Sequence, residues 1–202
     1  IINNFLTPYP EEAKDFFIKF KKEYNAKDII NSLKEVASVK VLVIGDIIID
    51  EYHYCTGMGK SQKDNIVATK FLNEEIFAGG ALAAANHLAG FCKEVTLISC
   101  LGTKNDYRDF ISTHLKANIK TEFFERKDVP TVVKRRFVDP AFLNKLFEVC
   151  YLEDAGHLPT ELEGKICAYL KSNLKKYDMV LVADFGHGLI TPKIVTTLCQ
   201  KA

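Results

Sequence analysis

Four groups of residues combine types and spacings that suit chemistry. Asp46 and Asp50 follow the apolar run Val41-Leu42-Val43-Ile44, in the segment Gly45-Asp46-Ile47-Ile48-Ile49-Asp50, and Asp184 follows the run Met179-Val180-Leu181-Val182-Ala183. Carboxylates just past strand ends accept hydrogen bonds from sugar hydroxyls or help to position a metal; equally, they cap loops by accepting from backbone N–H groups. Gly79-Gly80 precedes the small-residue stretch that starts at Ala81. Two glycines let the backbone approach a ligand closely, and a helix start offers free N–H groups. Lys134, Arg135 and Arg136 lie inside the strand-like run from Thr131 to Val138. Alternation sends Lys134 and Arg136 to one face and Arg135 to the other. That pair suits a phosphate clamp, and it equally suits a solvated strand edge protected by charge. Asp184-Phe185-Gly186-His187-Gly188 reads as a tight loop, with His187 either an acid/base or phosphate contact or plain polar surface.

The elements that must position these residues alternate. Val41–Ile44 and Met179–Ala183 are continuous apolar runs and Val95–Cys100 is largely apolar, as expected of strands buried in a parallel sheet. Between them, helices are predicted over Ala81–Phe91, Asp106–Leu115 and Leu162–Leu174, and another starts at Thr191 as N-cap with Pro192 in its first turn. This alternation predicts an α/β fold with helices on both faces of the sheet. Two stretches, about 51–77 and 119–152, carry short strand-like runs with no helix between them, and predict a small antiparallel sheet standing off the body. Residues 1–38 differ in texture: Phe16, Phe17, Phe20 and Tyr24, then Ile29, Ile30, Leu33 and Val36, recur at helical spacing. They predict a helical lead-in or linker ahead of a domain over 39–202.

Composition narrows the partners. The 202 residues carry 27 Lys+Arg and 26 Asp+Glu, for a net charge of +1. That balance argues against broad electrostatic capture of nucleic acid or of an anionic membrane, and no apolar run has the length of a membrane span. Of the six cysteines none forms a C-x-x-C pair, and no Cys/His cluster has zinc spacing. They read as core filler in a reducing cytoplasm, and no metal ligands are assigned. The remaining histidines, His53, His87, His114 and His157, show no partner pattern.

Taken in order, these pieces resemble the ribokinase-like (PfkB) carbohydrate kinases, most closely the heptose-7-phosphate kinase branch found in bifunctional ADP-heptose synthases. The resemblance rests on Val41–Asp46 with Asp50-Glu51-Tyr52, on Gly79-Gly80-Ala81 with the stretch to Gly102, on Thr131, Lys134 and Arg136, and on Asp184-Phe185-Gly186-x-Gly188. It covers about residues 40–202 and implies a three-layer sandwich with a β lid that often makes a dimer interface. It implies ATP and Mg²⁺ as partners and a sugar or sugar phosphate as substrate. Asp50 and the Gly79-Gly80 backbone would bind sugar hydroxyls, and Lys60, Ser61, Lys134 and Arg136 would approach the phosphate the substrate already carries. Residues 1–38 would suit the connection from an upstream nucleotidyltransferase domain.

The chain departs from that pattern in two places. Ala83 stands where the family usually has a sugar-binding Asn, with Asn86 one turn later, and His187 replaces a Lys common in the glycine loop. The family's Gly-Ala-Gly-Asp motif, with its general-base Asp, does not occur up to Ala202, so the expectation is a catalytically incomplete C-terminal truncation of a kinase. The alternative is a non-catalytic sugar-binding or dimerisation module. A nicotinamide-dependent dehydrogenase is disfavoured, because no G-x-G-x-x-G follows the first strand.

Overall fold

Strand β1 (Lys40–Gly45) forms where the sequence is most uniformly β-branched and apolar, and Val41 through Ile44 have no exposed surface. In this computed structural model, which describes residues 9–152 and 158–200, β1 lies inside a four-stranded parallel sheet. The order is β5-β4-β1-β8, with β4 at Glu94–Lys104, β5 at Ile119–Pro130 and β8 at Met179–Ala183. Ile1, Pro8, His157 and the last two residues lie outside the described segments.

Alternation along β1 divides the core in two. Val41 and Val43 pack with Leu82 and Ala85 of α3 (Ala81–Leu88) and Ile111 of α4 (Arg108–His114). Leu42 and Ile44 face the other way, against Leu162, Ile166 and Leu170 of α5 (Thr160–Asn173) and Ile194 and Leu198 of α6 (Pro192–Cys199). Helix α6 begins as its sequence predicts, with the Thr191 hydroxyl accepting from Ile194 N at 3.2 Å and proline in the first turn. The result is a sheet covered by helices on both faces. Its strand order reverses between β1 and β8, and in such sheets the crevice at the carboxyl ends of the strands beside the reversal receives ligands.

A second sheet grows from the same edge. Strands β2 (Ile47–Lys60), β3 (Val67–Gly80), β6 (Val133–Asp139) and β7 (Asn144–Tyr151) are ordered β3-β2-β6-β7. Two expectations are corrected here. The lid is mixed rather than antiparallel, because β2 and β6 run parallel while the outer pairs run antiparallel. The run starting at Ile119 belongs to the main sheet, where β5 pairs in parallel with β4 and forms an edge. A short apolar strand carries no local mark of which sheet will accept it. The base of the lid is tied to the body through Glu51, a buried carboxylate that accepts from Arg135 Nε at 2.6 Å and from the Tyr107 hydroxyl at 3.1 Å.

Residues 9–38, ahead of the body, form a unit of their own. Within it α1 (Glu11–Glu23) carries Phe16, Phe20 and Tyr24 in one ladder, with ring centroids 5.7 and 5.0 Å apart. Helix α2 (Ala26–Val36) opens on a capping box, in which the Asn25 side chain accepts from Asp28 N and the Asp28 carboxylate accepts from Asn25 N. No described helix is long and apolar enough to cross a membrane.

Replacing Ile44 by Ala should cost about 2–5 kcal/mol, because the side chain is lost from the centre of the sheet. Val67→Ala, at a lid position 77% exposed, should change stability by less than about 0.5 kcal/mol. Urea unfolding of the two variants checks the contrast.

Candidate sugar site

The chain leaves β1 at Gly45 and enters the lid at Ile47, with only Asp46 between the two sheets. Asp46 is 5% exposed, and its carboxylate accepts from three backbone groups of the loop after β8: Phe185 N at 3.0 Å, His187 N at 3.2 Å and Leu189 N at 3.2 Å. Its carbonyl accepts from Ala81 N at 2.9 Å. Asp46 therefore caps a loop and fixes three chain segments at one point. Asp184 also caps, accepting from Gly186 N at 2.9 Å in its own turn. Of the three acidic residues predicted at strand ends, only Asp50 is not a loop cap. It is also not past a strand end: it lies within β2, paired in register with Lys134 of β6.

Parallel pairing puts Asp50, Lys134 and Arg136 on one face of the lid and Glu51 and Arg135 on the other, as alternation predicts. Asp50 Oδ1 accepts from the Arg136 guanidinium. Its second oxygen, Oδ2, lies against Gly79, where a Cβ would stand 2.0 Å from it. No larger residue fits at Gly79 with Asp50 in this position. Gly80, with φ of +58°, would direct a Cβ to 2.4 Å from the Asp46 carbonyl, and it turns the chain into α3. Gly79 and Gly80 thus let the lid close tightly on Asp46 and Asp50.

Arg136 has a second partner that sequence reasoning missed. Its Nε lies 2.7 Å from Glu148 Oε2 of β7 as an ion pair, and its guanidinium carbon sits 5.4 Å from the centre of the Tyr52 ring. Burial works against its charge, but the hydrogen bond to Asp50 and the charges of Asp50 and Glu148 outweigh this and hold the group protonated. The available signal was a lone carboxylate in the apolar strand Leu146-Phe147-Glu148-Val149-Cys150. Lys134 has no ion-pair partner among the described residues.

His187 joins this end of the sheet. Its Nε2 is buried without a hydrogen-bond partner among the described residues. It borders a cavity of about 20 Å³, room for a single water, lined also by Asp46, Ser99, Arg126 and Thr131. Burial depresses its pKa below 6.5, and the nearby Lys134 ammonium lowers it further.

Three predicted residues lie elsewhere. Asn86 has both amide atoms engaged, donating to His114 O at 2.8 Å and accepting from Lys116 N at 3.0 Å, so it staples α3 to the turn after α4. Lys60 and Ser61 sit at the far end of the β2–β3 hairpin. Ten residues of strand separate Lys60 from Asp50, about 33 Å. Within one chain they do not join the cluster around Asp50. Among the described residues no group of three or more His, Cys, Asp or Glu side chains is placed to hold a metal ion.

The histidine yields a test with a defined sign. A histidine whose folded pKa is depressed contributes stability that is full above its unfolded value near 6.5. That contribution is lost as pH falls from there toward the folded pKa. In an NMR titration His187 should titrate below the ordinary histidine range, and Lys134→Met should move it upward. An unshifted His187 in both proteins would remove it from this site.

No protein-family model matches the sequence. The bifunctional protein HldE of Campylobacter jejuni subsp. doylei is 27% identical over 163 residues, which are 81% of this chain and 33% of that protein. HldE of Trichlorobacter lovleyi is 24% identical over 178 residues, 87% of this chain and 36% of that protein. The chain spans about a third of the length of the curated relatives it matches. Among solved structures, a carbohydrate kinase from Agrobacterium tumefaciens matches with a TM-score of 0.55 at 18% identity, over 81% of this chain and 50% of the other. Ribokinase from Giardia lamblia gives 0.55 at 16% identity, over 81% and 51%. Phosphofructokinase-2 from Escherichia coli, solved with fructose-6-phosphate, gives 0.53 at 12% identity, over 80% and 50%. The chain has the ribokinase-like fold of the PfkB-type carbohydrate kinases, and in sequence it is similar to the HldE proteins over four fifths of its length.

Proposed function

We propose that this chain supplies the sugar-binding side and the lid of an ATP-dependent kinase that phosphorylates a sugar phosphate of the heptose type. The observation that carries this is the face shared by Asp50, Lys134 and Arg136, closed by Gly79 at the carboxyl edge of the parallel sheet. Asp50 Oδ2 is the acceptor for sugar hydroxyls. Lys134 is the cation for the phosphate already on the substrate, and Lys60 and Ser61 are assigned to that phosphate from a second copy of the chain. Sequence similarity to HldE over 81% of the chain supports the kinase reading.

We assign Asp184 and His187 to the mouth of this site, and Asn86 to the shell that holds α3. The residues that meet ATP and Mg²⁺ are not assigned to this stretch. The fold matches cover about half of each solved kinase, and we propose that the general base lies in the half not spanned here. We further propose a cytoplasmic protein, in keeping with six free cysteines, and an upstream nucleotidyltransferase domain in the same polypeptide.

A second reading, a sugar-binding or dimerisation module without turnover, is favoured by the lid itself. Phe71 (53% exposed), Leu72 (47%) and Phe147 (52%) project from its strands, and they suit contact with a second lid.

Phosphoryl transfer depends on positioning and charge neutralisation, so binding and turnover are separable. With ATP, Mg²⁺ and a panel of heptose and hexose phosphates, the longer protein containing this chain should turn over at least one substrate. The 202 residues alone should turn over none. Binding without turnover in the longer protein would leave the module reading standing. Asp50→Ala in the longer protein should weaken sugar binding by about tenfold or more, through loss of a charged acceptor, and leave ATP binding unchanged. Calorimetry on each ligand decides this, and equal losses would reject the role of Asp50.

A further inference from the structure

Arg136 lies between two carboxylates on neighbouring strands. The guanidinium carries five N–H donors in a fixed planar fork, so fixing one edge fixes the direction of the other. Here Nε is held by Glu148 of β7 at 2.7 Å, and a terminal nitrogen is held by Asp50 Oδ1 of β2. Tyr52, in register with Arg136, supplies a ring face beneath the guanidinium at 5.4 Å. Glu148 is in register with Arg136 on its other side. Three adjacent strands thus contribute one row, Glu148–Arg136–Asp50, whose free end is Asp50 Oδ2 beside Gly79.

We propose that Glu148 is a positioning residue for the sugar, acting through Arg136 to orient Asp50 so that Oδ2 faces the substrate hydroxyls. The proposal rests on the sugar-kinase reading above and changes one part of it. Arg136, with a carboxylate on each edge, is a strut for Asp50 rather than half of a phosphate clamp. Asp50 and Glu148 together carry two negative charges against the single positive charge of Arg136, so this row has no cation left for a phosphate. Lys134 is then the one cation left on this face for phosphate recognition among the described residues.

The geometry separates two kinds of loss. Removing Glu148 disturbs the contact with hydroxyls, which a sugar and its phosphate share. Removing Lys134 disturbs only the contact with phosphate. The experiment uses the longer protein and measures binding of heptose 7-phosphate and of the same heptose without phosphate by calorimetry. Glu148→Ala should weaken both ligands by a similar factor, about tenfold, as expected for loss of a partly buried ion pair that holds Arg136 against Asp50. Lys134→Met should weaken only the phosphorylated ligand. The double variant Asp50→Ala/Glu148→Ala should bind no more weakly than Asp50→Ala alone, because Glu148 has nothing left to orient.

Glu148→Gln, which keeps the shape and one acceptor oxygen, should retain most of the affinity and the wild-type melting temperature. It serves as the test if Glu148→Ala folds poorly: a small loss shared equally by both ligands supports the strut, and no loss on either ligand, or a loss confined to the phosphorylated ligand, overturns it. Additive losses in the double variant, or a Glu148→Ala loss confined to the phosphorylated ligand, would overturn the proposal. Wild-type protein that binds neither ligand would instead overturn the sugar-kinase reading, and the role of Glu148 with it.

Discussion

The structure depends on how one buried carboxylate meets three backbone donors. Asp46 is the single residue between the last position of β1 and the first of β2, so whatever it binds is fixed to both sheets at once. Its carboxylate takes the N–H groups of Phe185, His187 and Leu189, which would otherwise be left without partners at the end of β8. Its carbonyl takes Ala81 N at the start of α3. An asparagine has a similar shape, but its NH₂ group would oppose N–H donors. The chemistry at this point requires an acceptor on both oxygens. The positions of Gly79, Gly80 and the His187 loop follow from that requirement.

Much of this was legible in the sequence, for reasons that differ by element. The strands β1 and β4 are written in largely apolar runs because both of their faces are buried, β8 carries a similar run although Met179 and Val182 stay exposed at this edge of the sheet, and Thr191-Pro192 marks a helix start by the same chemistry that caps it. The division of Lys134 and Arg136 from Arg135 follows from the two-residue period of a strand and needs no knowledge of its neighbours. The sheet that receives β5 is not legible locally, because pairing with β4 is a long-range choice that Ile119–Phe124 does not encode. Asp50 reads as a residue past a strand end because Gly45-Asp46 suggests such an end, whereas the chain only changes sheets there. Asn86 matched a family position approximately, yet its amide is spent between α3 and the turn at Lys116.

The near-neutral total charge conceals close pairing at the base of the lid. On one face Arg136 is shared between Asp50 and Glu148, and on the other Arg135 is bound to the buried Glu51. A slip of β6 by one residue against β2 would exchange the faces and place each guanidinium away from its carboxylate. Charge and register therefore enforce one another. A buried carboxylate left without its arginine costs several kcal/mol, which makes the slipped arrangement unfavourable well beyond the loss of two surface ion pairs.

Strand β2 has another property that follows from its length. Its first residues, Ile47, Ile48 and Ile49, are 2%, 4% and 0% exposed within the body, whereas Met58 near its outer end is 67% exposed. Fourteen residues of strand make a lever of about 45 Å with its pivot at Asp46. A rotation of about 10° at the pivot moves the outer end by several ångströms, roughly 8 Å for an arm of that length. Asp50 lies close to the pivot, where displacement is smallest, and Lys60 lies at the end, where it is largest. A ligand gripped at the short arm would thus be barely moved by a rotation that displaces the hairpin tip by that distance.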